Sequence, residues 1–295
     1  MKAKVKAKPT PMPMPLIRSL VETYYDFQDQ RIITSNRINM NSERNGITEA
    51  QLKQYGISTL LNKAESFEED IKKLLDAEIV NHEIYTKYLS GIQGIGTIIS
   101  SALVAYIGDI SKFDNISKLW QEAGLGMNYY CEQCKEPTYK IKTYTDKTGK
   151  KKNAKQLSPQ TVCQECGCKT VPVIQRRTMG YMSNWNDKFK VLLWKVGQSF
   201  VKQSAKKSGY RRLYDSIKAE ERRKHPQKIK ANGKTKYNDG HINNMTLRKV
   251  EKIFLANLWM KWREMDGLTV GVPYVNLDPH HNLIKPFLDR VTKKP

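Results

Sequence analysis

The sequence predicts a mainly α protein, in which an antiparallel hairpin of long coiled-coil helices precedes a compact helical domain that a small β insert interrupts. Three observations predict this fold. Apolar residues recur at the spacing of amphipathic helices over most of the 295 residues. A glycine-rich segment separates two of these apolar stretches, as in a helix-hairpin-helix-like turn. Two Cys-x-x-Cys pairs enclose a segment whose residues alternate like those of β-strands.

Two long helices are predicted over residues 16–90. The first runs from residue 16 to about residue 40, where the polar residues 41–46 end it. The second covers residues 57–89 and shows the alternating four- and three-residue apolar spacing of a coiled-coil seam. The apolar positions of that seam are Leu60, Ala64, Phe67, Ile71 and Leu74. The pattern fits an antiparallel hairpin, a dimerisation stalk or plain core helices, and it leaves the choice among them open.

A glycine-rich turn, Gly-Ile-Gln-Gly-Ile-Gly-Thr at residues 91–97, follows the long helices and opens a new apolar helix. Glycine tolerates a positive φ and allows another backbone to approach closely. The following helix begins with free N–H groups and a positive dipole end, so one phosphate can bind there. We therefore predict nucleic-acid contacts at Gly94, Gly96 and Thr97, and the alternative is a tight turn that contacts no ligand. The compact helical domain comprises residues 91–126 and 174–270.

Four of the five cysteines form two close pairs inside the insert, residues 127–173. Each Cys-x-x-Cys pair places two thiolates on one tight turn, from which both can reach one zinc ion about 2.3 Å away. The predicted ligands are Cys131, Cys134, Cys163 and Cys166. Four thiolates indicate a closed, structural zinc site, so we expect the insert to be a small β zinc ribbon. Cys168 is an alternative to Cys166, although the pair spacing favours Cys166.

The chain is strongly basic, with 51 Lys and Arg residues against 29 Asp and Glu residues and a formal net charge of +22. This balance favours a polyanionic partner, because each cation near a phosphate releases a condensed counterion. From Lys202 to Lys252, sixteen basic and five acidic residues are interleaved with aromatic rings, which suit unstacked bases. Besides the glycine-rich turn, the predicted nucleic-acid contacts are Arg176, Arg177, Trp185, Lys190, Arg211, Arg212, Arg222, Arg223, Arg248, Lys249 and Lys252.

The two ends of the chain differ from the helical part. Residues 1–15 alternate lysine with other residues and then proline with methionine, which predicts a disordered basic arm rather than a secretory signal. Residues 271–295 are predicted to form an irregular C-terminal tail. No run of about 18 apolar residues occurs, so we expect no membrane partner. Paired cysteines of the metal-binding kind favour a reducing, cytoplasmic location.

Three blocks at residues 91–103, 106–113 and 119–125 resemble the C-terminal domain of the DEDD-class insertion-sequence transposases and the related Piv/MooV invertases. The second block is Tyr-Ile-Gly-Asp-Ile-Ser-Lys-Phe, and the third is Leu-Trp-Gln-Glu-Ala-Gly-Leu. The upstream helices resemble the coiled-coil linker of that family, and residues 245–255 resemble its closing helices. The resemblance spans roughly residues 16–270.

The sequence departs from that family in two places that bear on catalysis. The family's RuvC-like domain, with its four acidic residues, precedes the coiled coil, whereas fifteen residues, none of them acidic, precede it here. The family's nucleophilic serine stands in a Ser-Gly step after the Ala-Gly-Leu block. Here the insert interrupts that place, and residues 175–180 contain no such step. Ser183 lies beyond it and is predicted to be a helix N-cap. The sequence therefore favours a protein without catalytic activity but leaves open whether it is an enzyme.

The Tas proteins of TIGR systems resemble these transposases and the Nop domain of box C/D ribonucleoproteins. They bind a short guide RNA through a Nop-like domain, and some of them carry no nuclease. The chain resembles this nuclease-free kind, which implies a guide-RNA-binding protein that directs RNA-guided recognition of DNA. The implied partners are guide RNA, target DNA and a second copy in a homodimer, in a prokaryotic cytoplasm or encoded by a phage. The alternatives are a DEDD-class transposase or recombinase subunit and a Nop-like protein that binds structural RNA alone.

Overall fold

The computed structural model describes residues 11–226, 237–274 and 284–290. Over these residues the protein is mainly helical, as the sequence predicts, with a small antiparallel β part that holds the paired cysteines. Most of the predicted basic arm, at residues 1–10, and much of the predicted tail lie outside the described residues. No helix in the described part of the chain is long and apolar enough to cross a membrane.

The chain divides into two compact units. The first unit consists of Met1–Gly91, Ile95–Gly108 and Arg290–Pro295, and the second consists of Ile92–Gly94 and Asp109–Asp289. Residues 91–126 are predicted to belong to the compact helical domain. In the structure, Ile95–Gly108 instead belongs with the long helices.

The first unit contains five helices in its described part. They are α1 (Met14–Asn45), α2 (Glu49–Gln54), α3 (Ile57–Ile79), α4 (Glu83–Lys87) and α5 (Thr97–Ile107). Helices α1 and α3 lie side by side and run antiparallel, since the N–H of Met12, just before α1, bonds to Glu78 near the end of α3 while Arg31, farther along α1, pairs with the earlier Glu68. Phe27 of α1 also stacks on Phe67 of α3. Helix α5 packs on both of them, because its side chains are apolar nearly all round and bury in the core.

The boundaries of the long helices differ from the predicted ones. Helix α1 continues through the polar residues 41–45 and ends at Gly46, whose φ of 63° stops the helix. Helix α3 ends at Ile79, ten residues before the predicted end. The N–H groups of Asn81 and His82 bond to the carbonyls of Glu78 and Ile79, which tightens the last turn and closes the helix.

The predicted seam of α3 does not face the core of this unit. Leu60, Phe67 and Leu74 are 58%, 54% and 53% exposed. The buried apolar residues of α3 are Leu75 and Ile79, and neither of them is a position of the predicted seam. The heptad pattern therefore marks a largely exposed stripe on α3. Phe67 of this stripe still stacks on Phe27 of α1, but the deeply buried residues of α3 lie beside the stripe.

The second unit is built on a long, buried helix. Its described helices are α6 (Ile116–Glu122), α7 (Asp187–Val201), α8 (Gly209–Lys224) and α9 (Asp239–Met265). Both α7 and α8 pack on α9. Phe200, Tyr210 and Phe254, one from each of these three helices, meet with ring centroids 4.5–5.5 Å apart and are fully buried. Aromatic packing of this kind adds to the stabilisation from burial alone.

A β module interrupts this helical unit. Strand β1 (Met127–Cys131) pairs antiparallel with β4 (Thr170–Ile174), and β2 (Tyr139–Thr145) pairs antiparallel with β3 (Lys151–Leu157). The outermost pair of the first ladder joins Met127 to Ile174. The chain therefore enters and leaves the module at one place, one residue from the predicted boundary of the insert.

The segment after the module ends in a helix cap that differs from the predicted one. Helix α7 begins at Asp187, and the side chain of Asn186 accepts a hydrogen bond from the N–H of Phe189. Asn186 is thus the N-cap, and the prediction that Ser183 caps this helix is wrong. The backbone carbonyl of Ser183 accepts a bond from Gln156 Nε2 instead.

Candidate metal centre and nucleic-acid interface

The four paired cysteines meet at the end of the β1–β4 ladder. Cys131 Sγ lies 3.4 Å from Cys166 Sγ, and Cys134 Sγ lies 3.7 Å from Cys163 Sγ. All four sulfur atoms lie within 4.8 Å of one another. Tetrahedral zinc with bonds of about 2.3 Å holds its sulfur ligands about 3.8 Å apart, so the cluster fits such an ion.

The two turns that carry these cysteines have the same backbone design. The N–H of Cys131 bonds to the carbonyl of Glu136, and the N–H of Cys163 bonds to the carbonyl of Cys168. Both are bonds to the fifth residue along the chain. A left-handed residue follows the second cysteine of each pair, with a φ of 61° at Lys135 and 70° at Gly167. The turns are therefore shaped alike and present their thiols to one point.

Hydrogen bonds prepare one of these thiols for metal binding. The N–H groups of Cys134 and Gln133 donate to Cys131 Sγ, each at 3.4 Å. These bonds lower the pKa of Cys131 to about 6, since they stabilise the thiolate, which is the form that binds metal. Cys168 lies outside the cluster, where its thiol contacts Gln133 Oε1 at 2.6 Å.

Three of the predicted basic residues, which we call the cation cluster, gather at the base of the module: Lys190, Arg248 and Lys252. The guanidinium of Arg248 donates to the carbonyls of Gly124, Leu125 and Gly126, at 3.3, 2.7 and 2.9 Å. These carbonyls form the turn between α6 and β1. Arg248 therefore holds the point at which the chain enters the module.

Lys190 lies on the other side of the same turn. Its ammonium is 4.8 Å from the ring centroid of Trp185 and bonds to the carbonyl of Gln175 at 3.3 Å. A Cβ atom on Gly124 would lie 2.6 Å from the Lys190 side chain, and Gly124 has a φ of 69°. Glycine is required there, because any side chain would displace Lys190 and strain the backbone.

Lys252 sits between two aromatic rings. Its ammonium lies 4.2 Å from the Trp120 ring centroid and 5.8 Å from that of Tyr274. Burial, followed by repulsion from Arg248, lowers the pKa of Lys252 to about 8. Burial and Arg248 lower the pKa of Lys190 in the same way. Asp187 and Glu251 attract Lys190 and offset part of this decrease, and the positive charge that remains in the cluster favours an anionic ligand.

One carboxyl group, that of Glu251, is buried beside these cations. Burial raises its pKa to about 7, and the attraction of Arg248 and Lys190 offsets only part of that rise. Near neutral pH the group is therefore divided between its neutral and charged forms. A partly ionised carboxyl group neutralises only part of the positive charge of Arg248 and Lys190.

Glu251→Gln is expected to remove a pH dependence of stability. A carboxyl whose folded pKa is about 7 stabilises the fold below its ordinary pKa of about 4.5, and this stabilisation is lost as the pH rises through 7. Between pH 5 and pH 8 the wild type should lose about 2 kcal/mol of unfolding free energy that Glu251→Gln keeps. Urea denaturation at both pH values measures the difference, with Glu264→Gln, an exposed change on α9, as the control. Equal losses in wild type and Glu251→Gln would contradict the burial of a titrating Glu251.

The glycine-rich turn makes close backbone contacts at one of its predicted residues. Gly94 has a φ of 96°, and its carbonyl accepts a bond from Ser199 Oγ at 2.6 Å. A Cβ atom there would lie 3.1 Å from Gln203 and 3.2 Å from Ser199. Gly94 therefore serves the packing of the turn on α7, and a phosphate contact at this residue stays a prediction.

Gly96 and Thr97 open on a pocket of the first unit at the N-terminus of α5. The pocket measures about 570 Å³. Arg31 and Lys72 line it, but so do three carboxylates, Glu65, Glu68 and Glu69. Arg31 is already paired with Glu68. The positive end of the α5 dipole thus faces mixed charge, which disfavours a phosphate at this helix end.

The remaining predicted basic residues do not belong to the cation cluster, although Arg177 lies near enough to Lys190 to repel it. Several of them bind protein groups: Arg177 pairs with Asp187, Arg211 with Asp215, Arg222 with Asp239, and Lys249 with Glu221, while Arg212 bonds to the carbonyl of Ala205. Arg176 and Arg223 are exposed, and the Arg176 guanidinium lies 5.6 Å from the Tyr130 ring centroid. Their nucleic-acid contacts remain predictions.

Sequence reasoning missed three groups that complete the cluster: Trp120, Glu251 and Tyr274. Trp120 and Tyr274 meet edge to face, with centroids 5.7 Å apart, although 153 residues separate them in the chain. No local pattern reveals such a pair. Glu251 resembles any surface glutamate in the sequence, and only its place on the buried α9 sets it apart.

No protein-family model matches this chain, and a sequence comparison with curated proteins finds no match. Functional inference therefore depends on the chain's own residues and geometry.

Proposed function

We propose that this protein binds a guide RNA and directs RNA-guided recognition of DNA. The observation that supports this proposal best is the cation cluster. Its three cations are half-buried. Lys190 and Lys252 lie beside the rings of Trp120, Trp185 and Tyr274, and Lys190 and Arg248 share one weakly ionised carboxyl group, that of Glu251. Cations bind a phosphate backbone, and the exposed ring of Tyr274 can stack on an unpaired base, whereas the buried rings of Trp120 and Trp185 hold the two lysines in place.

The resemblance of the sequence blocks supplies the finer part of the proposal. In RNA-guided systems, base pairing reads the DNA sequence and the protein holds the backbone. The α6 end and the turn that Arg248 clasps are the third of those blocks, 119–125, with one residue beyond it. The cation cluster thus contacts one of the three segments that resemble the transposase family and its guide-RNA-binding relatives.

We also propose that the module is a zinc ribbon. Four thiolates with no carboxylate among them form a closed set, which suits zinc in a structural rather than a catalytic role. Its bound ion would fix β1 and β4, whose outer ends adjoin the cation cluster. The ribbon would then position the RNA-binding surface and take no part in chemistry.

A second copy of the chain completes the proposal. Leu60, Phe67 and Leu74 are spaced seven residues apart on α3, and each is more than half exposed. A heptad stripe of this kind is typical of a helix that packs on another helix. We therefore infer a homodimer through this stripe.

Replacing Lys190 and Lys252 together by glutamine is expected to weaken RNA binding about tenfold at 150 mM salt. The slope of log Kd against log salt should also fall by about one to two, because fewer counterions are released. Fluorescence anisotropy with the RNA that copurifies with the protein measures both quantities. The charge-matched control is Lys118→Gln with Lys261→Gln, two lysines of the same unit that pair with neighbouring carboxylates. Equal Kd values and slopes for the two double variants would contradict the proposal.

Sequencing of the copurifying nucleic acid tests the guide role itself. Short RNAs that carry segments matching foreign DNA are expected. A single host RNA without a DNA match would contradict the guide role and favour a structural-RNA-binding protein. Magnesium-dependent cleavage or joining of DNA that is lost in Ser183→Ala would instead favour a transposase subunit.

A further inference from the structure

The β2–β3 hairpin of the module stands apart from the rest of the second unit. Residues 140–145 and 151–153 are all exposed, so both faces of this two-stranded sheet meet solvent. A lone two-stranded hairpin without a buried face gains little stability from its own packing. Packing in the protein core therefore does not account for the length of this exposed hairpin.

The hairpin is densely and almost uniformly positive. Residues 139–157 contain seven lysines and one acidic residue, Asp146. Cross-strand partners share a face, so the register places Lys151 and Lys155 on one face, and Lys140, Lys142 and Lys152 on the other. Positive charge thus covers both faces of the β2–β3 hairpin instead of forming one patch.

The single acidic residue is used to shape the tip. The carboxylate of Asp146 accepts bonds from the N–H groups of Thr148 and Lys150, at 2.8 and 3.1 Å, and pairs with Lys152. Gly149 takes the left-handed conformation that this turn requires, with a φ of 81°. The tip is therefore pre-organised, and it presents Lys147 and Lys150 to solvent.

The base of the hairpin is held firmly. Leu157 is buried, and its N–H bonds to the carbonyl of Met182 at 3.0 Å. The N–H of Met182 bonds in turn to the carbonyl of Lys155 at 2.8 Å. Gln156 adds its bond to the Ser183 carbonyl. A rigid anchor and a rigid tip reduce the conformational entropy that binding would cost.

We propose that the β2–β3 hairpin is a duplex-DNA-binding arm that inserts into the major groove. The groove of B-form DNA is about 12 Å wide and admits a two-stranded β-ribbon, whose strands lie about 5 Å apart. Strands of seven residues reach about 20 Å, enough to follow the groove between its two phosphate backbones. Lysines on both faces would then meet both backbones.

The geometry favours DNA over duplex RNA as the partner. The major groove of A-form RNA is deep and narrow, and side chains cannot read it. The inference rests on the proposed function for its DNA target, and on the hairpin's own charge and shape for the mode of binding. The cation cluster would hold RNA while the hairpin holds DNA, so the two surfaces have separate ligands.

A fourfold variant tests the arm: Lys142, Lys147, Lys150 and Lys151 replaced by glutamine. The probes are a labelled 20-base-pair DNA duplex of mixed sequence and an RNA duplex of the same sequence, bound to the full chain over a salt series. The variant is expected to bind the DNA duplex at least about tenfold more weakly, with a salt slope lower by about three. The wild type should bind the RNA duplex more weakly than the DNA duplex. The Kd of the variant for the RNA duplex should differ from that of the wild type by less than threefold. Replacement of the same four lysines by arginine should preserve DNA binding.

Two controls make the outcome decisive. Zinc content equal to that of the wild type shows that the module still folds, and Lys112, Lys118, Lys207 and Lys261 replaced by glutamine match the charge. Unchanged DNA affinity, or equal losses for DNA and RNA duplexes, would overturn the groove proposal. Loss of binding to phosphatidylserine vesicles without any loss for DNA would overturn it in favour of a membrane surface.

The Lys190 and Lys252 double variant, assayed beside these proteins, separates the two proposals. DNA binding lost only in the hairpin variant, with RNA binding lost only in the double variant, supports both. RNA binding unaffected in the double variant contradicts the guide-binding site and leaves the hairpin result standing.

Discussion

Replacing Cys131 by serine is expected to abolish zinc binding and to unfold the β module. Wild-type protein should carry one zinc ion per chain and Cys131→Ser none, since three thiolates and a hydroxyl bind zinc far more weakly than four thiolates. Structural zinc contributes binding energy of about 10–16 kcal/mol in small zinc-binding peptides, and here that energy would hold β1 to β4. Metal analysis by mass spectrometry measures the ion, and limited proteolysis between residues 132 and 169 reports the folding of the module.

Cys168→Ser is the matched control for this experiment. Cys168 stands two residues from Cys166, but its thiol bonds to Gln133 and lies outside the four-sulfur cluster. This variant should keep its zinc and its resistance to proteolysis. Zinc retained in Cys131→Ser, or lost in Cys168→Ser, would contradict the proposed ligand set. Iron in place of zinc would contradict the identity of the metal and leave the four thiolates as its ligands.

Arg248→Met is expected to destabilise the second unit by about 3–4 kcal/mol. The substitution removes the only side chain seen to donate to the three carbonyls of residues 124–126 in the described structure. It also takes a cation away from the buried Glu251. Buried acceptors without donors and buried charges without partners are among the costliest defects that a substitution can create. Chemical denaturation followed by tryptophan fluorescence measures the effect, since all five tryptophans lie in the second unit.

Two further variants show whether geometry or charge is responsible. Arg248→Lys keeps the charge but lacks the planar fork, so an intermediate loss is expected. Arg223→Met removes an exposed arginine of α8 and should cost no more than about 0.5 kcal/mol. Equal stability of Arg248→Met and Arg223→Met would contradict the role of Arg248 as a clasp on the turn.

The features that the sequence predicted best depend on short-range patterns. The spacing of two cysteine pairs predicted a cluster that the structure brings together, because each pair is placed by a single tight turn. The helical spacing of apolar residues predicted α1 and the start of α3, since a long amphipathic stretch forms a helix in almost any context. The end of α3 at Ile79 escaped prediction, because apolar residues continue at helical spacing past the break.

Properties that depend on the partner of a residue could not be predicted in this way. Arg211 and Arg248 look alike in a basic sequence, yet Arg211 pairs with Asp215 and Arg248 clasps a turn more than 120 residues away. The heptad on α3 predicted an apolar stripe correctly, but not that Leu75 and Ile79, beside the stripe, are the apolar residues buried in the core. The partner of each arginine and the buried face of α3 both depend on packing between residues distant in the chain, which local sequence patterns do not reveal.

The pairing of Met127 with Ile174 has a consequence for how such a chain can evolve. Cα atoms of paired residues in neighbouring strands lie about 5 Å apart, a gap that an ordinary tight turn also spans. The helices around the module therefore meet the same geometric constraint whether a short turn or the whole module joins them. A single insertion or deletion between residues 126 and 175 would therefore add or remove the whole module without changing the distance that the helical unit has to span.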